Sequence, residues 1–352
     1  MSAIVPPRPA IARMPSEFGI REGRGKFLRL DYNENTVGCS PAVRRALAKL
    51  TAEEIATYPE YGETRVRIAR SLRVAPDELV LSNGADESLR LIFDAFVDRG
   101  QSILLADPTF TMYRVYAGLY EAKILAHRYD FVRGFPLQEM CATLRGKRPR
   151  VLFLANPNNP TGTLHSARAI RQLLEAGPRT LIVVDEAYFD FCGVTVLPWI
   201  RRYRNLAVVR TFSKANGLAS LRLGCIFANR ETALALRKAQ PPFPVNRAAL
   251  VAAEAAARET RFVRKFARGV IAQRQRVEKF FAARSIPFWP SHTNFLLADF
   301  GPRAPQMLKT LEAQRILLRD RTPDFGRPGW VRITIGSREQ MTRLLGALAR
   351  AL

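Results

Sequence analysis

A chain of 352 residues, 47% apolar and 24% charged, has material for one large domain with a substantial core and a smaller companion. Its net charge of +24, from 55 Lys and Arg against 31 Asp and Glu, raises the question of a polyanionic partner. The basic residues are scattered along the whole chain, with no basic tail, no zinc-finger spacing and no basic stretch interleaved with aromatics. That argues against nucleic-acid binding and leaves an arginine-rich background that would help draw in anionic substrates. Cys39, Cys141, Cys192 and Cys225 form no CxxC pair and no ladder of short spacings. Neither a disulfide framework nor a metal site is expected, and a reducing cytoplasm fits. The stretch from Met1 to Ile20 lacks the apolar core of a secretion signal, and no run approaches the ~20 apolar residues of a membrane span.

From Glu78 to Ala228 short apolar runs alternate with longer helical patterns, which predicts a mainly parallel sheet covered on both faces. Strands are predicted at Leu79–Ser82, Ile103–Ala106, Lys123–Ala126, Val151–Ala155, Leu181–Asp185, Leu206–Arg210 and Leu223–Ala228. The last follows its predecessor after too few residues for a helical crossover, so an antiparallel course fits it. The pattern changes after Pro241-Pro242-Phe243-Pro244. Ala/Arg-rich helices over Ala248–Arg284 lead to a strand at Asn294–Ala298 and a helix near Pro305–Gln314. Strands at Ile316–Arg319 and Trp330–Ile335 and a closing helix follow. The predicted fold class is therefore α/β: a large domain over 40–243 with a mainly parallel seven-stranded sheet between helices. A smaller α+β domain is assigned to 1–39 with 244–352.

Most notable polar residues lie just past strand C-terminal ends, where open α/β sheets bind ligands. Lys214 stands in Arg210-Thr211-Phe212-Ser213-Lys214, with Arg222 eight residues on. A lysine at a strand end beside a hydroxyl and an arginine suggests a Schiff base to a phosphorylated aldehyde, although most lysines are solvated surface charges. Pyridoxal phosphate makes further demands. Its pyridine nitrogen needs a carboxylate, and Asp185 ends the apolar run Leu181–Val184. A helix-capping aspartate is an equal reading of that residue alone, but Tyr188 in the same segment adds a phenol for the 3′ oxygen. The phosphate needs a cradle, and Ser82-Asn83-Gly84-Ala85-Asp86-Glu87 joins a strand to a helix N-terminus. Simple turn geometry also explains that glycine. Asn159, in the rigid loop Asn156–Gly162, is placed to reach the 3′ oxygen, and Phe110 to stack on the ring or merely to pack.

The segments NPNNPTG (156–162), VDEAYFDF (184–191) and RTFSKANGLASLRLG (210–224) resemble the signatures of the aspartate-aminotransferase superfamily of pyridoxal-phosphate enzymes. LDYNEN (30–35), YPEY (58–61), PTFTMY (108–113), PFPVN (242–246), ILLRD (316–320) and VRITIG (331–336) are most similar to its histidinol-phosphate aminotransferase family. The chain departs from that family at Thr36-Val37-Gly38-Cys39, where proline and glycine-proline are usual, at Asn216 and Ser220, and at Pro244, in place of a frequent asparagine.

The resemblance implies Lys214 as Schiff-base lysine, Asp185 on the pyridine nitrogen, and Asn159 and Tyr188 on the 3′ oxygen. Gly84, Ala85, Asp86, Ser213 and Arg222 would surround the phosphate, with Thr211 beside them. Tyr58 would reach the phosphate of a neighbouring subunit's cofactor, making a homodimer with shared sites. Arg332 would pair with the carboxylate of glutamate, Arg319 would bind the phosphate of histidinol phosphate, and Asn35 would join the substrate side. For either arginine a surface ion pair is the plain alternative. The implied reaction moves an amino group between histidinol phosphate and 2-oxoglutarate, in histidine biosynthesis. An aromatic amino-acid aminotransferase and a decarboxylase of a phosphorylated amino acid such as phosphothreonine share much of the pattern. A transcription regulator with an aminotransferase-like domain would need a helix-turn-helix module, for which the stretch before the core leaves no room.

Overall fold

The structure is a computed structural model, which describes residues 5–14, 21–132 and 134–352. A two-residue strand, β1 (Leu28–Arg29), precedes the main sheet, whose strands are β2 (Leu79–Ser82), β3 (Ser102–Asp107), β4 (Lys123–Arg128), β5 (Val151–Ala155), β6 (Leu181–Asp185), β7 (Leu206–Thr211) and β8 (Gly224–Ala228). Their spatial order is β2-β8-β7-β6-β5-β3-β4. Neighbours from β4 to β7 pair in parallel, and β8 runs antiparallel to both β7 and β2. The short β7–β8 connection does what its length predicts. β5 and β8 are buried at every position, as expected for strands covered on both faces. One cover is the helix Gly84–Phe96, which turns Leu89, Ile92 and Phe93 into the core.

The smaller unit holds β9 (Phe288–Trp289), β10 (Phe295–Asp299), β11 (Ile316–Leu317), β12 (Arg319–Asp320) and β13 (Trp330–Thr334). Its four-stranded antiparallel sheet has the order β12-β13-β10-β9, while β11 pairs in parallel with β1. The single strand predicted over Ile316–Arg319 is thus two strands in two sheets. Ile316 packs into the small core beside Leu28 and Leu30, and past Leu318 the chain leaves β1 to pair with β13.

The helix Arg247–Arg258 packs on the helices Pro41–Leu47 and Gly62–Leu72, and its Ala249, Leu250 and Ala253 join the core of the large sheet. The next helix, Thr260–Ala282, turns Val263, Val270, Val277 and Phe281 into the small core. The helix just past the proline run at 241–244 thus packs on the larger side, and the helix after it on the smaller. Proline interrupts the local pattern, but burial decides which unit a helix belongs to. No helix among the described residues is long and apolar enough to cross a membrane, and all four cysteines are free thiols.

Candidate active site

The loops that follow β2, β3, β5, β6 and β7 meet at one edge of the main sheet, as does the N-terminal segment 31–35. Asp185 ends β6 and is buried. The Tyr113 hydroxyl donates to its Oδ2 at 2.8 Å, and the Ala187 N–H donates to Oδ1 at 3.0 Å. Burial pushes its carboxyl up to about 6, against the pull of these two donors and of the Lys214 cation. Beside it opens a narrow cavity walled by Ala85, Phe110, Asn159, Asp185 and Tyr188. A roomier cavity of about 330 Å³ touches Thr211, Phe212 and Asn216 and runs to the helix Thr260–Ala282. Asp185 lines the narrower space and not this one, and Lys214, which lines neither, lies beside the Tyr188 ring that walls the narrower space, so the chemistry points there.

Gly84 opens its helix at a φ of 78°, and a Cβ built there would lie 2.4 Å from Arg222 Nη2. At Gly224 the obstacle is backbone, since its Cβ would meet the Gly84 carbonyl carbon at 2.5 Å. The two glycines let backbone and guanidinium close around the first turn, where the N–H groups of Gly84, Ala85 and Asp86 have no helical acceptor. Arg222 donates to Asp86 Oδ2 at 2.9 Å and to the Ala219 carbonyl at 3.2 Å. Thr211 donates to Ser213 Oγ at 2.9 Å, which leaves Ser213 its own proton to give.

Lys214 donates from Nζ to the Tyr32 carbonyl at 3.2 Å and lies 5.8 Å from the centre of the Tyr188 ring. Segment 31–35 crosses the whole site in this way. The Asp31 carbonyl accepts from Arg332 Nη2 at 2.6 Å. Asn33 donates to Tyr188 Oη at 2.9 Å, and Asn35 donates to the Ala215 carbonyl at 3.0 Å. Asn35 Oδ1 accepts from the N–H groups of Val37 and Gly38. Its amide thus ties the strap to the lysine loop, whereas Asn33, two residues earlier and at a φ of 56°, faces the cavity residues. Sequence reasoning singled out Asn35 and missed Asn33. The signal was the same motif, but only the left-handed turn at Asn33 shows which amide points inward.

Asn159 accepts from Arg332 Nη1 at 2.6 Å and reaches Tyr188 Oη at 3.4 Å, so it links the two units. Arg332 is buried, its Nε has no hydrogen-bond partner, and burial lowers its pKa to about 10, still a cation at neutral pH. Arg319 is its directly opposed partner in the β12–β13 register, and lies 5.8 Å from the centre of the Tyr32 ring. Tyr113, whose hydroxyl orients Asp185, was also missed, as an aromatic inside a helix looks like core. Tyr58 is not brought to the site of its own chain: it is 78% exposed and stacks on Phe243 at 4.4 Å. Among the described residues no cluster of His, Cys, Asp or Glu could hold a metal ion.

A mainly parallel seven-stranded sheet with a lysine, a buried carboxylate and an anion cradle at one edge defines a transferase of the aminotransferase fold. The chain belongs to the class I and II aminotransferase family, whose model matches residues 25–348. It is 34% identical to the histidinol-phosphate aminotransferase of Geobacillus sp. (strain WCH70), over 98% of this chain and 94% of that one. The histidinol-phosphate aminotransferase from Sinorhizobium meliloti, solved in complex with pyridoxal-5′-phosphate, shares the fold with a TM-score of 0.90 at 24% identity, covering 99% of this chain and 98% of that one. L-threonine-O-3-phosphate decarboxylase from Porphyromonas gingivalis is 27% identical, with a TM-score of 0.78 and 92% and 98% coverage.

Proposed function

We propose that the protein is a pyridoxal-phosphate-dependent aminotransferase that moves an amino group between histidinol phosphate and 2-oxoglutarate in histidine biosynthesis. The observation that carries this reading is one cavity walled by Asp185, Asn159 and Tyr188, with Lys214 Nζ 5.8 Å from the centre of the Tyr188 ring and Arg332 bonded to Asn159. The residues fit pyridoxal phosphate. The cradle is made where Gly84 has no room for a side chain, Ser213 has a proton to give, and Asp185 is a buried carboxylate whose ionisation a protonated ring nitrogen would restore. When bound, that cofactor supplies an electron-withdrawing ring that stabilises negative charge on the substrate α-carbon.

The chain's own groups do the rest. Gly84, Ala85, Asp86, Ser213 and Arg222 hold the phosphate end, with Thr211 positioning Ser213, and Asn159 and Tyr188 hold the 3′ oxygen. Phe110 covers the ring. Lys214 Nζ takes the proton from the α-carbon and returns it, as a base and then an acid. Arg332 grips the carboxylate of glutamate through a two-pronged ion pair, and Arg319 holds the phosphate of histidinol phosphate. The exposed Tyr58 serves the cofactor phosphate of a second copy in a homodimer. A cytoplasmic setting agrees with four free thiols. Replacing Lys214 by alanine should leave no formation of 2-oxoglutarate from glutamate, measured in a single turnover of the loaded protein. Turnover at the native rate would refute the assignment.

A further inference from the structure

Tyr188, Asn159, Asn33 and Thr334 are all buried, and the hydrogen bonds that link them have one direction. Which end of an amide is oxygen follows from its partners. Arg332 has only donors, so the atom of Asn159 that meets its Nη1 at 2.6 Å is Oδ1, and Nδ2 is turned to Tyr188 Oη at 3.4 Å. The Asn33 amide is fixed from its other side. Thr334, at the end of β13, accepts from the Asn33 backbone N–H at 3.0 Å, and its own proton goes to Asn33 Oδ1 at 3.2 Å. That leaves Asn33 Nδ2 to donate to Tyr188 Oη at 2.9 Å. The Asn33 backbone carbonyl accepts from Asn294 Nδ2 at 3.0 Å, so the residue has little freedom to turn.

The phenol oxygen of Tyr188 is therefore approached by two N–H donors. A phenol has two lone pairs and one proton, and with both lone pairs met, the proton is what remains to be satisfied. Among the described residues no group accepts it. A buried donor without an acceptor is costly, and Tyr188 walls the narrow cavity beside Asp185. We propose that Asn33, set by Thr334, is a positioning residue that makes the Tyr188 phenol a one-way donor into that cavity, toward the 3′ oxygen of pyridoxal phosphate. No role assigned so far gives Asn33 or Thr334 a part in the reaction. The inference deepens the function proposed above and rests on it for the cofactor. A donor at the 3′ oxygen takes up part of its negative charge and so loosens the proton that this oxygen shares with Lys214 Nζ. Losing the donor's alignment should therefore raise the pH at which that proton leaves.

The test uses N33G, T334V and T334S, alone and in a Y188F background. Glycine suits the left-handed backbone of Asn33, at a φ of 56°, and adds no charge. One readout is the pH midpoint of the visible absorbance change of the loaded protein. The other is the dissociation constant of pyridoxal phosphate, beside that of 3-deoxypyridoxal phosphate, which lacks the 3′ oxygen. N33G and T334V should raise the midpoint by roughly 0.5–1 pH unit and weaken pyridoxal phosphate binding roughly 2- to 10-fold, the range of one hydrogen bond. Binding of the analogue should stay native, and T334S should restore both readouts. In Y188F neither N33G nor T334V should move the midpoint further, since both act through the phenol. If N33G does not fold, T334V and T334S decide by the same readouts. An unchanged midpoint in N33G and T334V overturns the proposal, as does a shift of equal size in Y188F or an equal loss for the cofactor and its analogue. A native protein that takes up no pyridoxal phosphate also overturns it. Refusal of histidinol phosphate by the loaded protein would sink only the substrate reading, because neither readout involves turnover.

Discussion

Asp185 titrates in the fold about two units above its usual value of 3.8, since burial pushes it up to about 6. Between those values the native state binds more protons than the unfolded chain, so the group's contribution to stability falls as pH rises from about 4 to 6 and stays lost above. In the cofactor-free protein the deficit is up to about 3 kcal/mol. Asp185→Asn removes this titration, so its stability relative to the native protein should improve by that order between pH 4 and 7, in urea unfolding without cofactor. Parallel pH curves for the two proteins would show that Asp185 ionises normally. At Arg332 the geometry matters more than the charge: Arg332→Lys keeps a cation but loses the fork shared between Asn159 and the strap. It should raise KM for glutamate roughly 10-fold or more, and an unchanged KM would remove Arg332 from substrate binding. Lys214, Asp185, Asn159 and Tyr188 were legible because each stands in a polar segment right after an apolar strand. Asn33 and Tyr113 were not. What distinguishes them is a backbone turn and a hydrogen bond, and neither has a signature in residue type.

Among the elements, the strands of the main sheet were visible because a strand buried on both faces is an unbroken apolar run. The two-residue strands β1 and β9 were not, being too short to show any period, and β11 and β12 were visible only as a single strand. Their placement still matters, since the break between β11 and β12 is what sets Arg319 opposite Arg332. The glycines of the cradle give a test at this scale. Gly224→Ala would force a Cβ against the Gly84 backbone, which has no way to retreat, and should cost about 1–3 kcal/mol of stability as well as cofactor affinity. Gly84→Ala meets only the tip of the Arg222 side chain, apart from the strain of its positive φ. Its main effect should be on cofactor binding, read as a smaller gain in melting temperature on adding pyridoxal phosphate. Identical behaviour of the two variants would contradict this division.

For the molecule as a whole, the sequence suggests two units with a division between 243 and 244, and the structure packs the helix that follows that division on the larger sheet. A proline-rich run is a local signal, and the helix Arg247–Arg258 is held on the larger side by residues far away in sequence. The strap 31–35 joins both units by bonding Arg332, Lys214, Tyr188 and Ala215 at once. A further molecular-scale expectation concerns Tyr58. If it serves a partner's site, mixing the inactive Lys214→Ala protein with Tyr58→Ala should create heterodimers in which one site is complete, and cofactor affinity at that site should return to the native value. No recovery after subunit exchange would place Tyr58 outside the site.

The central claim is the substrate, and the most direct measurement follows the visible absorbance of the loaded enzyme as histidinol phosphate, glutamate, phenylalanine or phosphothreonine is added separately. Histidinol phosphate and glutamate should convert the cofactor to its amino form fastest, with no release of carbon dioxide. Faster conversion by phenylalanine, or carbon dioxide release from phosphothreonine, would contradict the assignment.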